Sequence, residues 1–186
     1  MNFDPRTWQL TTERLTLRGA DVDDTPLLNA AVCESLSELQ LWVPWARSAP
    51  TLEESAQYAH SAAEKFQSAT SLEARMWTHE GTFIGCIGLM TSDKHVPSFE
   101  MGYWCRTSQS GCGYTSEAVR ALTTFAIDQL GAQRLRIRCD TRNGASRRVA
   151  EKCGYQWEAT LHHDARDALG HLRDTDVLTR FPDITK

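Results

Sequence analysis

The apolar residues of this chain change their period partway along it, and the places where they change limit the folds open to it. Leu28, Ala31, Val32, Ser35, Leu36 and Leu39 recur at helical spacing behind Pro26, a residue tolerated in a first helical turn. Leu41-Trp42-Val43-Pro44-Trp45 breaks that pattern, and Thr51-Leu52-Glu53-Glu54 reads as a capping box opening a second helix to about Ala69. From Leu72 the period is two: Ala74, Met76 and Thr78, a turn at Glu80-Gly81, then Phe83 to Leu89, which makes a hairpin, with a further strand at Phe99 to Trp104. Helical spacing returns at Ala118, Leu122, Phe125, Ala126 and Leu130, closed by Gly131. Leu135, Ile137 and Cys139 alternate with arginines in another strand, a short helix follows from Gly144 to Cys153, and strands are predicted around Gln156–Leu161 and Thr175–Arg180. An early strand carries Leu15 and Leu17. Strands clustered between pairs of helices imply an α/β fold: one mixed sheet flanked by about four helices, in a single domain over 1–186.

Composition removes several functional classes. A net charge of -4 argues against a nucleic-acid binder, which must neutralise many phosphates, and no stretch reaches the roughly 18 apolar residues of a membrane span. Met1 to Arg6 lacks the basic and apolar pattern of a secretory leader, so a cytoplasmic protein is expected. The six cysteines form no C-x-x-C pair and the histidines no ligand spacing, so neither disulfides nor a metal is expected.

The stretch Ser110-Gly111-Cys112-Gly113-Tyr114-Thr115 lies between a strand and a helix. Glycines allow close backbone approach, and the first amides of a helix are unpaired donors at its positive end, which suits a phosphate. Residues 131–152 hold seven basic and two acidic side chains, a net +5 that leaves -9 for the remainder and favours a phosphorylated small ligand beside the turn. A dinucleotide fits less well: Asp140 ends the next strand where a ribose acid would stand, but Ser116 replaces the third glycine. No lysine follows the glycines, so a Walker-type site is excluded.

Three blocks, Thr12 to Arg18, Gly111 to Ala118 and Asn143 to Tyr155, together resemble the GNAT N-acetyltransferases, and within them the ribosomal-protein N-terminal acetyltransferase type, over nearly the whole chain. The resemblance implies a mostly antiparallel sheet with one splayed pair of strands, and acetyl-CoA as cosubstrate. Its pyrophosphate would lie on the turn Ser110, Gly111, Cys112, Gly113, Tyr114 and Thr115. Gly113 matches the family's central glycine, while Ser110 and Thr115 depart from the usual Gln/Arg and Gly/Ala. Met101 and Tyr103 would pair with the pantetheine, with Asn143, Ser146 and Arg148 also on the cofactor.

Transfer to an amine needs a proton acceptor, a stabilised oxyanion and a proton for the thiolate. The resemblance implies Glu100, partly buried in its strand, as base and as an acceptor-binding residue. The tyrosine that many relatives use as acid is missing, and Ser146 is implied in its place; Tyr155 is read as packing. Trp42 and Trp45 would border the acceptor. A peptide α-amine, with a pKa near 7.7–8.0, is about a tenth neutral at pH 7 and so is an easier acceptor than lysine. The N-terminal amine of a protein or peptide is therefore the expected substrate. A small amine such as an antibiotic or aminoacyl compound is the alternative, and a non-catalytic acyl-CoA-binding module the alternative of another class. Relatives are often homodimers, but no stripe in this sequence establishes one.

Overall fold

The structure, a computed structural model, describes residues 7–68, 71–93 and 95–182; the stretch read for a leader, Met1 to Arg6, and the expected helix end at Ala69 lie outside them. In chain order the elements are β1 (Gln9–Thr11), β2 (Leu15–Gly19), α1 (Thr25–Leu39), α2 (Leu52–Gln67), β3 (Ser71–Thr78), β4 (Phe83–Asp93), β5 (Ser98–Cys105), α3 (Tyr114–Leu130), β6 (Arg134–Asp140), α4 (Gly144–Lys152), β7 (Gln156–Arg166) and β8 (Leu172–Arg180). The strands form one sheet in the order β1-β2-β3-β4-β5-β6-β8-β7. Every pairing is antiparallel except β5 with β6, which are joined through α3 as a parallel pair must be. This is the mixed α/β architecture the period changes predict, mostly antiparallel as the resemblance implied.

Local chemistry sets the boundaries. The capping box at α2 is complete: Thr51 Oγ1 accepts from the Glu54 amide at 3.1 Å, and Glu54 Oε2 accepts from the Thr51 amide at 2.8 Å. Gly131, at φ +65°, closes α3 in a left-handed conformation that costs glycine nothing. Two apolar layers hold the sheet. One face packs Leu72, Met76, Leu89, Met101 and Ile137 with Val119 and Leu122 of α3. The other packs Trp77, Phe83 and Cys86 beneath Leu28, Ala31 and Val32 of α1.

The parallel pair is incomplete, and the gap positions the site. Pairing between β5 and β6 runs from Ser98↔Arg134 to Met101↔Ile137 and stops there. Beyond it β5 stays with β4 out to Cys105 and β6 stays with β8 out to Asp140. The two strands part from Gly102 and Arg138 onward, opening the splay that the resemblance implied.

Candidate active site

On the α3 face the chain presents backbone. Gly111 and Gly113 have φ of +78° and +83°, a region that L side chains resist. Gly113 is the N-cap of α3 and supplies no side-chain cap. The starts of α2 and α4, by contrast, are closed by Thr51 and Asn143. The first amides of α3 are therefore left as donors at the positive end of a 17-residue helix, behind an exposed turn.

A clasp from the start of the sheet fixes this turn. Thr12 Oγ1 and the Arg14 amide donate to Glu117 Oε1 at 2.6 and 2.8 Å, and Arg14 Nε donates to Oε2 at 2.7 Å. Arg14 Nη1 also reaches the Cys112 carbonyl at 3.1 Å, and its guanidinium lies 4.7 Å from the centre of the Tyr114 ring. Burial works to raise the Glu117 carboxyl, but the bonds from Thr12 and Arg14 outweigh it and hold the group below its ordinary range. The clasp ties the first sequence block, Thr12 to Arg18, to the middle one, Gly111 to Ala118.

At the split, Tyr103 and Ser146 meet: the Tyr103 hydroxyl lies 3.0 Å from Ser146 Oγ and 3.1 Å from the Ser146 carbonyl. Burial pushes the Tyr103 phenol up, so it holds its proton. Sequence reading took Tyr103 only for its backbone; its phenol became visible once β5 and α4 were brought together. Asn143 Oδ1 accepts from the Ser146 amide at 3.0 Å, so its side chain is engaged as the N-cap of α4.

A cavity of about 370 Å³ passes through the split. Met101, Tyr103, Ile137 and Ser146 line it on one side; Trp45, Tyr58, Glu73, Gly88, Gly102 and Trp104 line it on the other. Trp45 is half exposed and packs edge-on against Trp104 at 6.4 Å, whereas Trp42 is partly buried and does not line the cavity.

The description "Acetyltransferase (GNAT) domain" matches residues 14–156, well over half of the chain. The chain belongs to the GNAT acetyltransferases. This GNAT chain is 28% identical over 160 residues, 84% of each protein, to YdaF of Bacillus subtilis (strain 168), provisionally named a ribosomal N-acetyltransferase. Its fold is similar to that of RimL, a ribosomal L7/L12 α-N-protein acetyltransferase solved with coenzyme A (TM-score 0.88, 21% identity, 95% of this chain and 99% of that one). It is also similar to that of MccE, a microcin C7 self-immunity acetyltransferase solved with acetyl-CoA and AMP (TM-score 0.86, 18% identity, 92% and 94%).

Within this GNAT domain Glu100 is partly buried in its strand, as expected, and is ion-paired there. Phe99 and Met101 turn into the core, and Glu100 points the other way, to arginines. Arg136 Nε and Nη2 both lie 2.9 Å from Oε2, and Arg138 Nη1 lies 3.9 Å from it; Oε1 makes no contact with the described residues. Glu100 sits beside the cavity rather than in its lining. The basic segment is likewise not a free positive patch. Arg134 pairs with Glu158 and Arg138 with Asp164 of β7, Arg142 with Asp140 of β6, and Arg147 with Glu151 of α4 and Asp176 of β8, so that, with Arg136 on Glu100, acidic partners take up most of the basic side chains the sequence count assigned to phosphate. Asp140, the residue a ribose would need, is buried between Arg142 and Arg173. Arg148 is exposed and has no acidic partner among the described residues. No group of three or more His, Cys, Asp or Glu among the described residues could hold a metal ion, and no described helix is long and apolar enough to cross a membrane.

Proposed function

We propose that this acetyltransferase uses acetyl-CoA and that its acceptor is the N-terminal α-amine of a protein or peptide. The observation that carries the reading is the cavity through the β5–β6 split: it runs from the α3 face, where Tyr103 and Ser146 line it, to a face with a side-chain-free floor at Gly88 and Gly102. On the first face the α3 amides, with the turn from Ser110 to Thr115, take the pyrophosphate, and β5 from Met101 to Tyr103 pairs with pantetheine. Arg148, exposed on α4, adds a cation. On the second face an amine enters past Trp45.

The roles follow from position. The Tyr103–Ser146 pair stands at the split, where the thiolate departs, and either hydroxyl can pass a proton to it. Glu100, fixed by Arg136 through one oxygen, keeps the other to accept the amine proton through water. The likeness to RimL and YdaF in fold and sequence favours a protein N-terminus. The likeness to MccE, solved with AMP, favours the second reading, a small aminoacyl amine.

Free-thiol release from acetyl-CoA, measured across peptides and small amines with mass-spectrometric location of the acetyl group, tests this. Acetylation of the α-amine of an unblocked peptide is expected, and modification confined to lysine side chains or small amines would overturn it.

A further inference from the structure

On the face carrying α1 and α2, one carboxylate is fixed by groups that the transfer chemistry does not use. Glu73 of β3 accepts from the Tyr58 hydroxyl at 2.6 Å and from Arg75 Nη1 at 2.5 Å, both on Oε1. Strand alternation would turn Arg75 outward, yet it is 0% exposed because α2 covers that face. Its Nη1 also reaches Cys86 Sγ at 3.0 Å, while Nε and Nη2 make no hydrogen bond among the described residues. A guanidinium buried in this way is expensive, and among the described residues Glu73 is the one carboxylate paired with it. Burial raises the Cys86 thiol to about 12, so it stays neutral and gives Arg75 no second anion.

Among the described residues, the side-chain hydrogen bonds and the ion pair of Glu73 all fall on Oε1. Oε2 makes none among the described residues, and the side chain, 24% exposed, lines the cavity. From Glu73 to the split the floor is bare. Gly88 pairs with Glu73, and Gly102 pairs with Gly88, so all three face the same way. A Cβ at Gly88 would lie 2.7 Å from the Leu72 carbonyl oxygen, whereas one at Gly102 would meet nothing within 4 Å and would only fill the strip. Two strand spacings, about 9.6 Å, separate Glu73 from Gly102. That is too far for Glu73 to receive the nitrogen that reacts at the split, but it suits a group further along the acceptor. Lys65 also lines the cavity, about 10 Å along α2 from Tyr58, and makes no ion pair with Glu73.

We propose that Glu73 is a specificity-determining carboxylate whose Oε2 receives a second positively charged group of the acceptor, reached along the strip of Gly102 and Gly88. The favoured acceptor is then a chain with a lysine or arginine next to its free amino terminus. This rests on the α-amine reading above.

The test compares Ala-Lys-Phe with Ala-norleucine-Phe, which keeps the length and removes the charge. Wild type is expected to favour the lysine peptide by about tenfold in kcat/KM, through a lower acceptor KM, and Glu73→Gln should bring the ratio to within about twofold of one while the KM for acetyl-CoA is unmoved. A wild type without the preference, or a Glu73→Gln variant that retains it, overturns the proposal. Should Glu73→Gln fail to fold by circular dichroism, Gly102→Val decides the matter: it fills the strip without touching the Arg75 pair, and a preserved ratio there overturns the proposal equally. Ala-Lys-Phe acetylated only on its side chain would instead overturn the α-amine reading, while α-acetylation without preference would overturn the Glu73 proposal alone.

Discussion

On the α3 face of the sheet the groups positioned for a ligand are main-chain amides, held by two left-handed glycines and a helix start without a cap. On the α1 and α2 face they are side chains, Trp45, Tyr58, Glu73 and Trp104, around a floor of glycine. A backbone site tolerates exchange of its side chains, so Ser110 and Thr115 can depart from the family pattern while the turn keeps its shape. A side-chain site changes its preference with each exchange. The chain therefore carries one face suited to a constant donor and another suited to a particular acceptor.

Four substitutions would break or sharpen that division. The largest effect is expected at Glu100, proposed above to accept the amine proton: Glu100→Gln should lower kcat about a hundredfold, with acetyl-CoA binding by calorimetry unchanged. Wild-type turnover would remove it from the chemistry. Next, Gly113→Val puts a β-branched residue at φ +83°, with its Cβ 3.4 Å from the Arg14 guanidinium. The KM for acetyl-CoA should rise about tenfold, the ratio of rates between two acceptors staying as in wild type; a shifted ratio would show that the two faces are not separable. Ser146→Ala and Tyr103→Phe should each lower turnover several-fold, and the double variant should cost little more than the worse single one, because they share one hydrogen bond. Additive losses measured in single turnovers would mean that they act independently.

The smallest effect concerns stability alone. Glu34 of α1 takes the Arg106 guanidinium at 2.6 Å and the Ser108 amide at 3.0 Å, which pull its carboxyl down to about 2. A carboxyl lowered on folding stabilises the fold above its unfolded value near 4.3, and that stabilisation is lost as pH falls toward 2. Glu34→Gln should therefore melt below wild type at pH 7, with the two converging near pH 2; a constant gap across that window would deny Glu34 the role.

The donor face was largely legible in sequence because its determinants are local. Gly111 and Gly113 stand two apart and each fixes its own backbone, as Thr51 and Glu54, three apart, do at the start of α2 on the other face. β1 was missed because three residues, Gln9 to Thr11, are too few to show a period. On the acceptor face Trp45 was read in the sequence, but Glu73 was missed, for a different reason. Glu73 and Arg75 alternate with Leu72, Ala74 and Met76 as solvent-facing residues do, and only the packing of α2 over that face buries the arginine. The two helices predicted ahead of the sheet were the available signal, since helices on both faces leave a central strand no wet side. The charge count misled similarly: Arg134, Arg136 and Arg138 find Glu158, Glu100 and Asp164, partners at separations of 24 to 36 residues that no local window connects.

The clasp of Thr12 and Arg14 on Glu117 has a consequence for how the molecule comes into being. Its two halves stand 105 and 103 positions apart, so the donor turn gains its support only after the intervening strands and helices have been made and brought home. A nascent chain that ends before residue 117 contains every residue of β1 to β5 and of the glycine turn, yet lacks the carboxylate on which Thr12 and Arg14 close. On the proposed reading such fragments would not compete with finished enzyme for acetyl-CoA.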